Sequence, residues 1–213
     1  MIKTVRNTVI MMFVMALAVV PIKATVSAGV DSNGISTNCE LRIAERELWI
    51  DHVLWTRSFI VSDLADLEDK TDVLARLMKT QDDTGNSIKP YYGEEAGNEL
   101  AKLLREHIEL ATQVTDAAKS GNTVDLEKYN KLWHKNADEI AAFLGSINPN
   151  YSVNTLQDML YKHLQFVTDQ VVARLNKDWK ADIVAFDKGK DHMLKFADIL
   201  VDGIIKQFPK KFK

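Results

Sequence analysis

The sequence predicts an all-α protein, an up-and-down helical bundle of about five or six helices. Apolar residues recur at helical spacing along most of the chain, and no segment alternates apolar and polar residues with a period of two. The breaks between the helical segments are also short. Because short connections between long helices make consecutive helices antiparallel, an up-and-down arrangement follows.

The first predicted helix runs from about Cys39 to Asp66 and organises the rest of the interpretation. Its part from Leu48 to Leu64 is apolar on nearly every side, whereas most surface helices carry one apolar stripe. Such a helix is expected to form the central post of a bundle. From Leu48 to Val61 the only polar residues are Asp51, His52, Thr56, Arg57 and Ser58.

The remaining helices are delimited by glycine, proline and capping residues. The second is predicted to stop before Pro90, and the boundary between the last two is placed near residues 176–178. The four tryptophans, among them Trp179, are expected to pack in the core, and Ile183 is placed on the apolar side of the last helix. The predicted ranges are about 71–88, 93–120, 123–145, 152–176 and 178–208.

The first 28 residues have the features of an export signal. Lys3 and Arg6 precede an apolar run at 9–20, and Ala28 ends a small-residue cleavage site. The run is shorter than the about 20 residues that span a bilayer, so we expect cleavage and no stable membrane anchor afterwards. The predicted organisation is a signal peptide (1–28), a flexible leader (29–38), a helical bundle domain (39–209) and a basic tail (210–213). The protein is therefore expected to be secreted or associated with the cell envelope.

Charge and motifs exclude several classes of function. Without residues 1–28 the chain has 24 basic and 30 acidic residues, a net charge of −6, which argues against a nucleic-acid-binding protein. Cys39 is the only cysteine, so no intramolecular disulfide can form. The sequence has no Glu-x-x-His pair on two helices, no His-Glu-x-x-His, no phosphate-binding glycine loop and no Gly-x-Ser-x-Gly.

Three of the five histidines are the candidate functional residues. His52, His107 and His163 lie on the apolar sides of three different predicted helices, each near the middle of its helix. Helix midpoints share a level in a bundle of similar helices, so the three imidazoles are expected to meet in one buried polar layer with Asn136 or Asp187 nearby. Imidazoles with an amide or carboxylate suit zinc, iron, copper or nickel. The leading hypothesis is binding of a transition metal or small ligand at this layer.

Two other interpretations stay open. A bundle can use buried polar groups only to set its packing register, so the protein could instead be a structural or protein-interaction bundle with a partner still to be identified. An enzyme in which a metal-bound water attacks a substrate would need an open coordination position. Arg57, placed among apolar residues, requires a carboxylate partner, for which Asp187 and Glu139 are the candidates.

The sequence also resembles a family of small all-helical bacterial proteins of unknown function, along nearly the whole chain after the signal. The resemblance implies a helical fold and no particular activity. Some members carry an acetylglutamate kinase label, which this sequence does not support because it lacks an alternating strand and helix pattern. The export signal is a departure from many members. The matching stretches are residues 48–57, 90–93, 106–108, 136–140, 163–164 and 203–208.

Overall fold

A computed structural model describes residues 37–212, and this part of the chain is helical throughout apart from short turns. The predicted all-α class is confirmed. The predicted signal peptide (1–28) and most of the leader lie outside the described residues. The helices are α1 (Thr37–Leu64), α2 (Lys70–Ser120), α3 (Thr123–Ile147), α4 (Val153–Leu175) and α5 (Trp179–Gln207), followed by a 3₁₀ turn (Pro209–Phe212).

Side-chain caps start the last three helices. The side chains of Asn122, Ser152 and Asp178 each accept a hydrogen bond from a backbone N–H in the first turn of α3, α4 and α5, respectively. Gly121, with φ 69°, ends α2 in the left-handed conformation that glycine adopts at little cost. The predicted boundary at 176–178 between the last two helices is confirmed.

Helix α2 is a hairpin of two antiparallel arms rather than one straight rod. The chain reverses at Gly93, whose φ of 87° and ψ of 171° are not helical. Asp82 on the first arm (residues 70–92) pairs with Arg105 on the second arm (residues 94–120). The two arms match the two helices predicted there, but the first arm continues through Pro90, so the predicted stop before that proline is wrong.

The helices form a closed ring in which each packs on its neighbours. Helix α1 contacts α2 and α5, α3 lies between α2 and α4, and α4 packs on α5. Large side chains that are almost fully buried fill the interior, including Trp133, Phe196, Ile140, Leu156 and Leu164. The prediction that α1 is a central post is wrong, because its Ile43 is 47% exposed and its Leu54 is 44% exposed.

The ends of the bundle differ from the prediction in three places. Trp179 and Ile183 are 53% and 54% exposed, so neither is a core residue. The helix α1 begins at Thr37, inside the predicted leader. Within the predicted basic tail, Lys211 donates to the carbonyl of Pro90 at 2.9 Å, so this segment packs on the bundle.

No described helix has the length and apolarity needed to cross a membrane.

The hairpin of α2 depends on close contact between its arms at Gly85. A Cβ on Gly85 would lie 2.5 Å from the carbonyl oxygen of Gly97 and 2.6 Å from Cβ of Ala101, and the carbonyl oxygen belongs to backbone that cannot rotate away. We therefore expect Gly85→Ala to lower the free energy of unfolding by about 1–3 kcal/mol, despite the better helix propensity of alanine. Urea denaturation of both chains measures the difference.

The neighbouring exposed residue provides a matched control. Asn86→Ala introduces the same side chain one position later on the solvent side of the arm, and its effect is expected to lie within about 0.5 kcal/mol of zero. Equal stability of Gly85→Ala and the parent would contradict the close-contact explanation.

Candidate functional site

Residues His52, His107 and His163, hereafter the histidine cluster, come together in the interior of the bundle. These three residues are 3%, 3% and 5% exposed, respectively. The ring centroid of His163 lies 5.7 Å from that of His52 and 6.1 Å from that of His107. The structure thus brings together three predicted site residues from α1, α2 and α4.

Both ring nitrogens of His107 are hydrogen-bonded inside the protein. The indole Nε1–H of Trp133 donates to Nε2 of His107 at 3.1 Å, so Nε2 is an acceptor and the proton of the neutral ring lies on Nδ1. That Nδ1–H donates to Oδ1 of Asn136 at 2.7 Å. The amide Nδ2 of Asn136 in turn donates to the carbonyl of Leu103 at 3.1 Å. Neutral His107 is therefore fully satisfied, and predicted site residue Asn136 contacts it directly.

His52 has one clear polar partner, the buried amide of Gln81. Nε2 of Gln81 lies 3.3 Å from Nδ1 of His52, and the same nitrogen donates to the carbonyl of Leu77 at 2.9 Å. The same nitrogen also donates to Oγ1 of Thr80 at 2.6 Å, so its two protons are shared among three acceptors, of which Nδ1 of His52 is the most distant. With Nδ1 as the acceptor, the proton of the neutral His52 ring lies on Nε2. Nε2 offers a lone pair only in the other tautomer, in which the proton lies on Nδ1 and the contact with Nε2 of Gln81 is lost.

His163 differs from the other two because, within residues 37–212, no group hydrogen-bonds to its ring. Its ring borders a cavity of about 10 Å³ that is also lined by Thr56 and Gln170. The hydroxyl oxygen of Thr56 is buried and has no hydrogen-bond partner within the described chain. A buried hydroxyl without a partner is unfavourable by about 1–3 kcal/mol. This side of the histidine cluster therefore has capacity for a polar group that the described residues do not supply.

Burial keeps the three imidazoles neutral. Loss of hydration, together with electrostatic repulsion from His107, lowers the pKa of His52 to about 4, against a raising effect of the contact with Gln81. Loss of hydration likewise lowers the pKa of His107 to about 4, against a raising effect of the hydrogen bond to Asn136. The pKa of His163 lies well below 6.5 because of burial and the two neighbouring imidazoles. At neutral pH all three rings have an unprotonated nitrogen.

The structure does not place the predicted carboxylate, that of Asp187, in the histidine cluster. Asp187 is exposed on α5 and does not belong to the histidine cluster. The predicted partners of Arg57 are also wrong, because Arg57 forms a bidentate pair with Asp182, with an N–O distance of 2.6 Å for the second contact. Arg174 donates to the same carboxylate at 2.9 Å. Asp182 is 1% exposed, so this is a buried ion pair that joins α1, α4 and α5.

Three functional neighbours of the histidines did not emerge from the sequence. Gln81 lies four residues after Leu77 on the apolar side of the first arm, a position where a buried amide requires a partner. Trp133 precedes Asn136 by three residues and so shares its helix face. Thr56 follows His52 by four residues. The spacing of these residues can be read from the sequence, but the sequence does not show which helix each face contacts.

Within residues 37–212 no group of three or more His, Cys, Asp or Glu side chains is arranged to hold a metal ion. Comparison with protein-family models, curated proteins and solved structures gives no match. The resemblance to a family of small helical proteins therefore stays an expectation from the sequence.

The lowered pKa values predict a stability that decreases in mild acid. The ordinary pKa of histidine is 6.5. Above this pH the three histidines are deprotonated in both the folded and the unfolded chain, so their protonation does not reduce the free energy of unfolding. Between pH 6.5 and 4 the unfolded chain binds protons that the folded chain does not. The free energy of unfolding should then fall by roughly 1 to 1.5 kcal/mol per pH unit for each histidine.

Urea denaturation between pH 7 and pH 5 measures this slope, in a range where ordinary carboxylates change their charge little. In His163→Leu the slope should decrease by about one third. Glu45, whose pKa is raised by burial, contributes with the opposite sign in both chains and cancels in the comparison. An identical slope in the parent and in His163→Leu would show that this ring is not buried in its neutral form.

Proposed function

We propose that the histidine cluster binds one transition-metal ion through the imidazole nitrogens of His52 and His163. The observation that carries the proposal is the state of His163. It is a buried, neutral imidazole with no hydrogen bond from the described residues, and it lies beside a second imidazole and shares a cavity with the hydroxyl of Thr56, which has no partner among those residues. Native proteins satisfy nearly all buried polar groups. A ligand from outside the polypeptide would satisfy this one.

The size of the space favours an ion over an organic ligand. The cavity beside His163 has a volume of about 10 Å³, close to the ~10–15 Å³ that a single water molecule needs. Pockets for organic ligands are larger, about 300–1,000 Å³. Zinc, copper, nickel and iron all accept neutral imidazole, and the lowered pKa values leave both rings unprotonated at pH 7.

The donor set assigns different roles to the predicted ligands. His52 and His163 would hold the ion, while His107 and Asn136 would position their neighbours. Ligation by His107 would break its bonds to Trp133 or Asn136. Ligation by His52 would break only a 3.3 Å contact with the amide nitrogen of Gln81, which has two shorter hydrogen bonds. Asp187 is too far out on the surface to contribute. A bound ion would supply Lewis-acid character beside the hydroxyl of Thr56. We place this activity in an exported protein, on the basis of the predicted signal peptide.

A second function is favoured by a different observation, the complete satisfaction of His107. Its two hydrogen bonds tie the second arm of α2 to Trp133 and Asn136 of α3. A polar group that is satisfied in only one packing arrangement selects that arrangement over its alternatives. In this alternative the histidine cluster sets the register of the bundle, and the protein acts as a structural or partner-binding module.

Elemental analysis decides between the two functions. The chain from residue 29 onward, without a histidine tag, is incubated separately with zinc, copper, nickel or iron and then freed of excess metal. We expect about one ion per chain for at least one of these metals, and loss of that ion in His52→Gln and His163→Gln, because both imidazoles are ligands. Inductively coupled plasma mass spectrometry measures the content.

The matched control is His134→Gln, the same change at a half-exposed histidine outside the histidine cluster. It should bind metal like the parent, and circular dichroism shows whether each variant is folded. A parent that takes up none of the four metals would refute metal binding. So would a folded His163→Gln chain that still binds one ion.

The register role makes its own prediction at Trp133. Trp133→Phe preserves an aromatic ring but removes the indole donor, and Nε2 of His107 then has no partner. We expect the free energy of unfolding to fall by about 1–3 kcal/mol, beyond the effect of the smaller ring, because a buried acceptor is orphaned. In the double variant with His107→Leu this loss should largely disappear. A double-mutant cycle of urea denaturation measures the coupling, and zero coupling would exclude a role for this hydrogen bond.

A further inference from the structure

Helix α1 carries a buried carboxyl group to which the rest of the described chain offers no cation. Glu45 is 2% exposed, and its Oε1 accepts no hydrogen bond from residues 37–212. The hydroxyl of Ser87 lies nearby, but it donates its single proton to the carbonyl of Thr84 at 2.8 Å. Asp182, by contrast, is buried with two arginines as its partners. The surroundings of Glu45 therefore favour its protonated, neutral form.

Glu45 borders a cavity of about 10 Å³ that lies behind a groove on the protein surface. The groove has a volume of about 960 Å³ and lies between the second arm of α2 and α3. Tyr92 and Ile147 line both spaces, so these two side chains form the wall between the cavity and the groove. The cavity is therefore the closed inner end of a much larger open space.

Both residues of this wall are held by Gln207. Its Oε1 accepts a hydrogen bond from the hydroxyl of Tyr92 at 3.2 Å, and its Nε2 donates to the carbonyl of Ile147 at 3.1 Å. All three residues lie at the end of a helical segment: Tyr92 precedes the reversal of α2, Ile147 is the last residue of α3, and Gln207 is the last residue of α5. Because the ends of helices open more readily than their middles, the wall can open without unpacking the bundle.

We infer that loss of the proton from Glu45 opens this wall and joins the cavity to the groove. An ionised carboxylate in the closed cavity would have no cation and space for at most one water molecule, which is strongly unfavourable. Opening breaks two hydrogen bonds between neutral groups, and those groups regain partners when water enters from the groove. The opened form therefore hydrates the carboxylate, and the groove gains a negative charge at its inner end. This inference does not depend on metal binding.

The other titratable groups around the cavity leave Glu45 as the one that changes its charge. Among the residues that line the cavity, the other titratable side chains are Tyr92 of α2 and Tyr151 of the turn between α3 and α4. Burial raises the pKa of both, and of the neighbouring Tyr91, so all three stay neutral at neutral pH. The residues of α3 and α5 that line the cavity are apolar. The arginines at positions 42 and 46 of α1 pair with α5, and Lys211 of the 3₁₀ turn donates to a backbone carbonyl.

Opening of the wall becomes more favourable as the pH rises. Burial raises the pKa of Glu45 above its ordinary value of 4.5 in the closed form, and the hydroxyl of Ser87 offsets this only in part. In the opened form the hydrated carboxyl group returns toward its ordinary pKa. Below pH 4.5 both forms hold the proton, and the closed form has its full stability. Above pH 4.5 the opened form loses its proton first, so the opening equilibrium rises by up to about tenfold per pH unit until the pKa of the closed form is reached.

Labelling of a thiol inside the cavity measures the opening. Thr84 is 2% exposed and lines the cavity, and Thr84→Cys replaces its hydroxyl with a thiol. The chain from residue 29 onward, with Cys39→Ser and without added metal, is labelled with a maleimide between pH 5 and pH 9. Each rate is divided by that of the urea-unfolded chain at the same pH. We expect this ratio to rise by about tenfold or more over the range, and to stay nearly constant with Glu45→Gln, whose side chain is neutral at every pH.

A second buried threonine separates local opening from unfolding of the whole bundle. Thr115 is also 2% exposed and, like Thr84, donates to the carbonyl four residues earlier. It lies about 22 Å further along α2 than Leu100, which lines the cavity. In the same background Thr115→Cys should therefore show no rise in its labelling ratio.

Two further variants complete the test. Glu95→Gln makes the same change at an exposed carboxylate of the groove and should leave the rise at Thr84→Cys as in the parent. Glu45→Leu replaces Glu45→Gln if circular dichroism shows that the latter is unfolded. The inference would be overturned by a ratio that does not change with pH in the parent, by a rise that persists in the folded neutral variant, or by a parallel rise at Thr115→Cys.

Discussion

Burial of three neutral imidazoles in one apolar interior is the constraint on which the arrangement of the bundle depends. Each ring has one donor and one acceptor nitrogen, and an unmet group is costly in a low-dielectric core. The chain meets this demand unequally: His107 has two partners, His52 has Gln81, and His163 has none among the described residues. This inequality separates a structural histidine from two candidate ligands, although their positions in the sequence look alike.

The hairpin of α2 places Gln81, the partner of His52, at the level of His107. The reversal at Gly93 places Asp82 beside Arg105, so Gln81 on the first arm and His107 on the second arm lie at nearly the same height. The close approach at Gly85 fixes that register, because any side chain there would push the arms apart. The register of the hairpin thus places Gln81 beside His52, whereas the two partners of His107 come from α3.

The sequence predicts where each helix lies along the chain, and which residues share a level in the bundle, better than it predicts which helices are neighbours. Periodicity identifies the helices, and placing His52, His107 and His163 near helix midpoints predicts that they share a level, as they do. It does not give the rotation of each helix or the order of helices around the ring. Asp187 was therefore assigned to the interior although it is exposed, and Asp182, five residues earlier, is the buried partner of Arg57. The level of a residue in the bundle follows from its position along its helix. The direction in which its side chain points depends on how the helices pack.

The error over α1 has a physical cause. A helix that is apolar all round is expected in the centre of a bundle, yet α1 lies in a ring of helices with one face toward solvent. Isolated polar residues interrupt its apolar surface: His52 lies on the inner face, and Arg57 reaches the buried carboxylate of Asp182 on α5. A purely apolar face would tolerate many registers, whereas a polar residue within it is satisfied in only a few. The register of α1 in the ring therefore depends on the polar contacts of His52 and Arg57 and not on its apolar residues alone.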